Sequence, residues 1–175
     1  YKAEMKNGVD PSGNSDCTSG LQKLLDQAAA EGGGIVFLPP GTYRFNGNLN
    51  IPSGVELKGA IDNSTTPVGG GSIIQVYNGK GDENGTPFIT MQKNSGLRGV
   101  TINYPEQKSS LLPDNILKYP YTVQVQGEDV YIVNIAIRAA YRGFDLFTYK
   151  CDNHYIDYIS GHSFNTGIRV GGGSE

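Results

Sequence analysis

The chain has 175 residues, with 25 glycines, 37% hydrophobic residues and a net charge of −3 at pH 7. This composition suits one domain of short strands joined by tight turns. Its 14 Lys and Arg residues are scattered among 17 acidic residues, and no apolar run approaches the roughly 20 residues of a membrane-spanning helix. We therefore expect neither a nucleic-acid nor a membrane partner.

The N-terminal segment predicts a short amphipathic helix. Asp16 and Thr18 offer side-chain oxygens suited to a helix N-cap, and a glycine triplet at 32–34 ends the helical pattern. We expect the apolar stripe between these signals to pack as a hydrophobic plug over the strands that follow. The stripe is formed by Leu21, Leu24, Leu25 and Ala28.

Short strands follow the helix, and each is separated from the next by a turn signal. The signals are Pro39-Pro40-Gly41, Asn46-Gly47 and Pro52-Ser53-Gly54, and residues of these types favour tight turns. The runs between them predict four strands, at Ile35–Leu38, Tyr43–Phe45, Leu49–Ile51 and Val55–Leu57.

The order of these features over residues 8–59 resembles the N-terminal cap and first coil of the pectate lyase superfamily. The shared features are the helix, Gly-Gly-Gly, the Pro-Pro-Gly-Thr-Tyr turn and the Gly-Val-x-Leu-x-Gly strand. The resemblance implies an all-β fold: a right-handed, single-stranded parallel β-helix of the pectin lyase-like type with a short N-terminal capping helix. Because that superfamily contains polysaccharide lyases, glycoside hydrolases, uronan epimerases and phage tailspikes, the resemblance is specific for fold and not for chemistry.

Repetition later in the chain predicts how coils stack. Residues 135–146 align without a gap with residues 159–170, at an offset of 24 that fits one β-helix coil. Phe144 aligns with Val123, which lies 21 residues earlier, and Val123 aligns with Ile89, which lies 34 residues earlier. The surplus residues predict loops inserted between coils, at Asp62–Gly71 and Tyr104–Pro120.

Alternation along the strands places one polar residue of each coil outside the core. If Phe144 and Leu146 point inward, Asp145 points outward. Stacked parallel strands are about 4.8 Å apart, so Asp145 and Arg169 would be direct neighbours. The complete outward column is predicted to contain Thr90, Gln124, Asp145 and Arg169.

The polar residues after position 138 are the candidates for chemistry, and three interpretations are open. A glycosidase needs two carboxylates about 5 to 9.5 Å apart; Asp145, Asp152 and Asp157 could supply such a pair, and Asp145 and Asp157 are our catalytic candidates. A uronan lyase or epimerase needs a base and a cation that neutralises the substrate carboxylate. In the third interpretation these residues are structural, and Asp145 and Arg169 form a surface ion pair between coils. The substrate-binding candidates are Arg138, Tyr141, His162 and Arg169, and Arg142 and His154 could serve a lyase.

No metal site or cofactor is predicted; in a lyase, the cation that neutralises the substrate carboxylate could be Arg, Lys or Ca²⁺. We predict a single β-helix domain over 1–175, with a cap at 1–34 and coils at 35–175, that forms the N-terminal part of a longer β-helix. A C-terminal continuation or another copy of the chain is expected to complete the stack, because an open end would expose strand edges.

The predicted function is a secreted, extracellular carbohydrate-active enzyme that cleaves a polysaccharide, with glycoside hydrolase placed ahead of polysaccharide lyase. The alternative is a non-catalytic glycan-binding or phage tailspike-like β-helix module. A polysaccharide is thus the predicted partner in either case.

Overall fold

A computed structural model describes residues 1–60, 71–108 and 115–171. In these ranges a 3-10 helix at Met5–Asn7 precedes the first strand, and an α-helix, α1, spans Thr18–Ala30. The strands, in chain order, are β1 (Ser12–Asp16), β2 (Gly34–Phe37), β3 (Gly41–Phe45), β4 (Leu49–Ile51), β5 (Val55–Lys58), β6 (Ser72–Val76), β7 (Ile89–Met91), β8 (Gly96–Arg98), β9 (Val100–Asn103), β10 (Tyr121–Val125), β11 (Tyr131–Leu146) and β12 (Tyr155–Val170).

The strands within these ranges pair in parallel and form three faces around a hydrophobic core. Sheet 1 contains β1, β3, β6 and β9, sheet 2 contains β4, β7 and β10, and sheet 3 contains β2, β5 and β8. β11 and β12 are long enough to pass through sheets 3, 1 and 2 in turn. The right-handed parallel β-helix predicted from the sequence is confirmed.

The predicted stacking of coils is confirmed by the strand register. Val123 pairs with Ile89 on one side and with Phe144 on the other. The offset of 24 residues relates β11 to β12 on both sides of a short irregularity between Ile137 and Arg142. The repeat of apolar residues in the sequence therefore predicted which strands are neighbours in the β-helix.

Helix α1 covers the N-terminal end of the stack, as the apolar stripe predicted. The N-cap residue is Cys17 and not Asp16 or Thr18. Asp16 lies one residue earlier, where its Oδ1 accepts a hydrogen bond from the Thr18 backbone N–H at 3.1 Å. The buried residues of the helix are Gly20, Leu21, Leu24, Leu25 and Ala28.

Helix α1 also provides hydrogen-bond partners for the edge strand of sheet 2. The Nε2 of Gln22 donates to the backbone oxygen of Asn50 at 2.9 Å, and the Oε1 of Gln22 accepts from the Asn50 backbone N–H at 2.8 Å. The side-chain amide thus takes the place of a neighbouring strand for β4. Within the described ranges, no helix is long and apolar enough to cross a membrane.

Two features of the chain differ from the sequence-based expectation or extend it. The segment predicted as part of the cap contributes β1, which pairs with β3. In its described parts, the predicted insertion Tyr104–Pro120 connects β9 to β10. The predicted insertion Asp62–Gly71 lies outside the described residues, except for Gly71.

The corner between sheets 3 and 1 uses the left-handed backbone region in consecutive coils. Gly99, Asn134 and Tyr158 have φ values of 70°, 56° and 57°, and the register places all three at this corner. Gly and Asn adopt this conformation readily, whereas a tyrosine there is strained.

Candidate functional site

Sheet 2 carries the outward polar column that the sequence predicted. The register aligns Thr90, Gln124, Asp145 and Arg169 on neighbouring strands and adds Asn50 on β4. With strands about 4.8 Å apart, these residues form a continuous polar strip along the axis of the β-helix. We call this column, together with Gln92 and Gln126, the sheet 2 strip.

Side-chain amides link neighbouring coils of the sheet 2 strip. The Oδ1 of Asn50 accepts hydrogen bonds from the Oγ1 of Thr90 at 3.0 Å and from the Nε2 of Gln92 at 2.8 Å. Gln92 Nε2 also donates to Gln126 Oε1 at 3.1 Å, and Gln126 Nε2 donates to Gln124 Oε1 at 2.8 Å. The side chains are therefore fixed relative to one another before any ligand binds.

Asp145 is the buried end of this chain of hydrogen bonds, with 1% of the residue exposed. Its oxygens accept from Gln124 Nε2 at 2.9 Å, from Thr148 Oγ1 at 2.5 Å, and from the backbone N–H groups of Phe147 and Thr148 at 3.1 and 3.2 Å. Burial alone would raise the pKa of Asp145, but these hydrogen bonds together outweigh it and hold the pKa below its ordinary value. The carboxylate is therefore ionised, and it organises the turn after β11.

Asp145 and Arg169 are neighbours in the register, as predicted, but they do not form the ion pair of the structural interpretation. The guanidinium of Arg169 lies instead over the ring of Phe147, 3.9 Å from its centre. Because the oxygens of Asp145 are occupied by other donors, the charge of Arg169 stays available at the edge of the strip.

A charged and aromatic cluster lies at the corner where the chain passes from sheet 1 to sheet 2. Glu83 Oε1 accepts from Lys118 Nζ at 2.7 Å, and Glu83 Oε2 accepts from Arg142 Nη2 at 3.0 Å. Arg142 Nη1 also donates to the backbone oxygen of Glu83 at 2.9 Å. The Arg142 guanidinium lies 5.4 Å from the ring centre of Tyr121 and 5.7 Å from that of Tyr141. We call these five residues the corner cluster.

Two cations share one carboxylate in the corner cluster. The hydrogen bond from Lys118 lowers the pKa of Glu83; burial opposes this effect, while the charge of Lys118, a hydrogen bond from Tyr141 and the charge of Arg142 support it. Glu83 in turn raises the pKa of Lys118 through its hydrogen bond and its charge. Glu83 and Lys118 are therefore charged at neutral pH, and a guanidinium is always cationic in proteins. Two positive groups against one negative group leave one positive charge in excess.

Arg142 is the best-anchored cation of the corner cluster. Its side chain is 22% exposed, and Glu83 together with two aromatic rings restricts its orientation. Its Nε–H is buried and has no acceptor in the described parts of the chain. A planar guanidinium held in this way is preorganised to recognise a carboxylate or sulfate group.

The insertion between β9 and β10 positions the lysine of the corner cluster. Gln107 and Leu117 join the two ends of this insertion through two hydrogen bonds. Gln107 Nε2 donates to the Leu117 oxygen and the Leu117 N–H donates to Gln107 Oε1, both at 2.8 Å. The rings of Tyr104 and Tyr119 pack edge to face, with centres 4.7 Å apart. Lys118 lies between Leu117 and Tyr119, so these contacts fix the position of its backbone.

The structure distributes the six site residues predicted from the sequence over different faces. Asp145 and Arg169 lie on sheet 2, and Tyr141 lies in the corner cluster beside them. Asp145 and Asp157 do not share a face, and the catalytic role of each stays a prediction. The remaining three lie elsewhere: Arg138 and His162 on sheet 1, and Asp157 on sheet 3.

Sequence reasoning missed three members of the corner cluster. Glu83 and Lys118 lie in connections from sheet 1 to sheet 2 that differ in length from coil to coil, so no repeat pointed to them. Tyr121 pairs with Arg142 in the register, and extending the coil alignment two residues before Val123 would have found it.

Metal ligands are a separate question. In the ranges that the structure describes, no group of three or more His, Cys, Asp or Glu side chains is placed to hold a metal ion. Ca²⁺ as the neutralising cation of a lyase stays a prediction.

Comparison with protein families gives a match to the family described as rhamnogalacturonase A/epimerase, pectate lyase-like, over residues 5–95. Comparison with curated proteins gives no match.

Solved structures share the fold over nearly the whole chain. An iota-carrageenase in complex with iota-carrageenan fragments has a TM-score of 0.70 at 15% identity, covering 99% of this chain and 40% of that protein. A protein from Parabacteroides merdae assigned as a glycosyl hydrolase has a TM-score of 0.67 at 19% identity, covering 96% and 79%. The A-module of a mannuronan C-5 epimerase from Azotobacter vinelandii has a TM-score of 0.64 at 21% identity, covering 96% and 51%. The chain thus spans about half or less of two of these three proteins, and the likeness is one of fold.

Proposed function

The chain belongs to the rhamnogalacturonase A/epimerase family of pectate lyase-like proteins, and on this premise we propose that it forms part of a secreted carbohydrate-active enzyme that cleaves an acidic polysaccharide. Two structural neighbours carry the names of polysaccharides, mannuronan and iota-carrageenan. The chemistry of the corner cluster and of the sheet 2 strip supports a ligand of the same class for this chain.

The observation that carries the proposal is the position of the corner cluster beside the sheet 2 strip. Arg142 and Lys118 supply excess positive charge, which suits an acidic group on a sugar. Tyr121 and Tyr141 offer amphipathic rings that pack against the apolar face of a sugar ring and bond through their hydroxyls. The amides of the strip add donors and acceptors for sugar hydroxyls. A polymer lying across sheet 2 would meet all three kinds of group.

Hydrolysis is the reaction that we place first. It requires a carboxylate as base or nucleophile and a protonated carboxylic acid, with the scissile bond between them. Asp145 and Glu83 both have lowered pKa values, so neither suits the role of proton donor. Glu83 is the partly exposed carboxylate of the two, whereas Asp145 is buried with its oxygens occupied by other donors, so its role as base or nucleophile rests on the sequence alone. Asp157 was our second carboxylate from the sequence; its position on sheet 3 does not favour it as the donor for a bond held at sheet 2.

β-Elimination is the second candidate, and the corner cluster favours it. Neutralising a sugar carboxylate acidifies the neighbouring C–H group, so that a base can remove its proton. The C–H electrons then form a C=C bond, and the glycosidic oxygen on the next carbon leaves with the electrons of its C–O bond and takes up a proton. Arg142 and Lys118 would supply the neutralising charge without a metal ion. A non-catalytic glycan-binding module is the third candidate, because binding requires only the strip and the cluster.

The test is digestion of a panel of polysaccharides by the longest available form of the protein. The panel contains polygalacturonate, rhamnogalacturonan, alginate, iota-carrageenan and a neutral galactan. Release of reducing ends is followed together with the ultraviolet absorbance of the unsaturated product that elimination leaves. New reducing ends without that absorbance support hydrolysis, and both signals together support elimination.

The remaining outcomes decide between binding and no carbohydrate function. Retention on an acidic polymer without either product supports the binding module and contradicts the proposal of an enzyme. Cleavage of the neutral galactan alone would contradict the proposed acidic substrate, because the positive charge of the corner cluster would then have no ligand group to neutralise.

A further inference from the structure

A second surface on this molecule has the features of a glycan-binding site. We propose that sheet 3 binds the same acidic polysaccharide independently of sheet 2, with Lys58 and Arg98 holding an acidic group and Tyr155 and Tyr158 contacting sugar rings. The inference rests on the proposed function, since it takes its ligand class from there.

Two like charges lie side by side on sheet 3. Lys58 and Arg98 pair in the register of β5 and β8, which brings their backbones to about 4.8 Å. Like charges directly opposite each other on a sheet are destabilising. Arg98 Nη2 lies 3.3 Å from Glu56 Oε2, and the Glu56 side chain is only 8% exposed. Lys58 is exposed and has no ion pair in the described ranges, so an uncompensated positive charge faces solvent.

Arg98 is held in place before any ligand binds. Its guanidinium lies 5.4 Å from the ring centre of Tyr131, and the Tyr131 hydroxyl donates to the same Glu56 oxygen that Arg98 contacts. Arg98 keeps 42% of its side chain exposed. A cation that is fixed by a buried carboxylate and a half-buried ring and is still exposed loses little side-chain freedom when an anion binds.

Two exposed tyrosines lie near the same face. Tyr155 is 60% exposed and Tyr158 is 59% exposed, and Tyr155 lies beside Tyr131 in the register. Tyr158 has a φ of 57° at a corner where the coils below carry Gly99 and Asn134. An exposed tyrosine in that strained conformation gains little from packing, so its strain is not repaid by the fold.

The arrangement suits a polymer better than a small anion. The register column on sheet 3 runs from Lys58 through Arg98 and Val133 to Asp157, which is three strand spacings or about 14 Å. Asp157 accepts a hydrogen bond from the Tyr155 hydroxyl at 3.1 Å and offers acceptors for sugar hydroxyls. Cations thus lie at one end of the column, and aromatic rings and an acceptor lie at the other.

The test is a charge reversal that separates binding from stability. Lys58→Glu places a carboxylate beside Arg98, so we expect unfolding in urea at an equal or slightly higher midpoint. Retention in gels that contain polygalacturonate should nevertheless weaken about three- to tenfold. The matched control is Lys23→Glu, which makes the same charge change at an exposed position of α1 and should bind like the wild-type protein. Tyr155→Ala is the second variant and should weaken retention by a similar factor.

The outcomes separate this inference from the proposed function. Wild-type retention that neither Lys58→Glu nor Tyr155→Ala reduces overturns the sheet 3 surface and leaves the proposed function standing. If the wild-type protein neither binds nor cleaves any polymer of the panel, the proposed function fails and the inference fails with it. In an Arg142→Gln background, Lys58→Glu should lower the residual retention further, because independent surfaces contribute additively.

Discussion

Tyr131 on β11 donates its hydroxyl hydrogen to the carboxylate of Glu56 on β5, reaching across the strand that lies between them. Gly96 occupies the intervening position on β8, and the absence of a side chain there leaves room for the ring. Burial, followed by the hydrogen bond to Glu56 and its charge, raises the pKa of Tyr131 to about 12. The phenol therefore stays protonated at neutral pH and remains a donor.

Gly96→Ala should destabilise the protein because it disrupts this contact. A Cβ at position 96 would lie 2.1 Å from the Cζ of Tyr131, so the ring must move and the hydrogen bond to Glu56 is lost. We expect the free energy of unfolding to fall by about 1–3 kcal/mol, measured by urea denaturation.

The control for this change is Gly167→Ala, at a strand position where an added Cβ meets nothing within 4 Å. It should change the unfolding free energy by less than about 0.5 kcal/mol. In a Tyr131→Ala background the cost of Gly96→Ala should shrink. If Gly96→Ala lowered the free energy of unfolding equally with and without the Tyr131 ring, the contact with that ring would not be the cause of the destabilisation.

Tyr158→Asn should stabilise the protein. Asparagine adopts positive φ values more readily than tyrosine, and Asn134 already occupies the same corner one coil below with a φ of 56°. We expect a gain of up to about 1 kcal/mol, measured as the unfolding free energy. Tyr155→Asn, at an equally exposed position within β12, is the control and should not raise the free energy of unfolding. An equal rise in this control would contradict the claim that the positive φ of Tyr158 causes the effect.

Asp145→Asn should destabilise the protein in a way that depends on pH. The folded-state pKa of Asp145 is lowered, so the folded protein binds this proton less readily than the unfolded chain, whose aspartates titrate near about 3.9. The stabilisation is therefore present above that pH and is lost as the pH falls through the folded-state pKa. At about pH 7 we expect a loss of about 2 kcal/mol, and the difference should narrow toward about pH 3.

The matched control is Asp157→Asn, which alters an exposed carboxylate on sheet 3. It should change the unfolding free energy little at the pH values at which Asp145→Asn is measured. A difference between wild-type protein and Asp145→Asn that is constant over this pH range would contradict the assignment of Asp145 as an ionised, hydrogen-bonded carboxylate.

Much of the fold was predictable because its signals are local or periodic. Turn residues and apolar alternation predicted Leu49–Ile51 with its observed bounds, and repetition predicted the pairing of Val123 with Phe144. β1 was not predicted, because Ser12–Asp16 contains no apolar residue and forms a strand only by pairing with β3. Tertiary pairing there overrides a weak local preference.

The candidate site was less predictable, since two of its members, Glu83 and Lys118, come from connections whose length differs from coil to coil. The alternation argument identified the column that contains Asp145, but it could not show that the carboxylate is covered by the turn at 147–148. Glu83 and Lys118 meet Arg142 only because two connections pack together, with the Gly81 N–H donating to the Lys118 oxygen at 2.8 Å. Such contacts carry no signal in a single sequence.

The most direct test of the central claim compares Arg142→Gln with the wild-type protein in the rate of polysaccharide cleavage, the proposed activity, on the polymer of the panel from which the wild-type protein releases most product. The variant removes the anchored cation of the corner cluster, and hydrogen bonds to charged groups contribute about 1.5–3 kcal/mol, so we expect kcat/KM to fall at least about tenfold. Lys80→Gln, which alters a surface ion pair with Glu106 in a neighbouring loop, should cleave at the wild-type rate. A folded Arg142→Gln protein with undiminished kcat/KM would contradict the claim that an acidic substrate binds at the corner cluster.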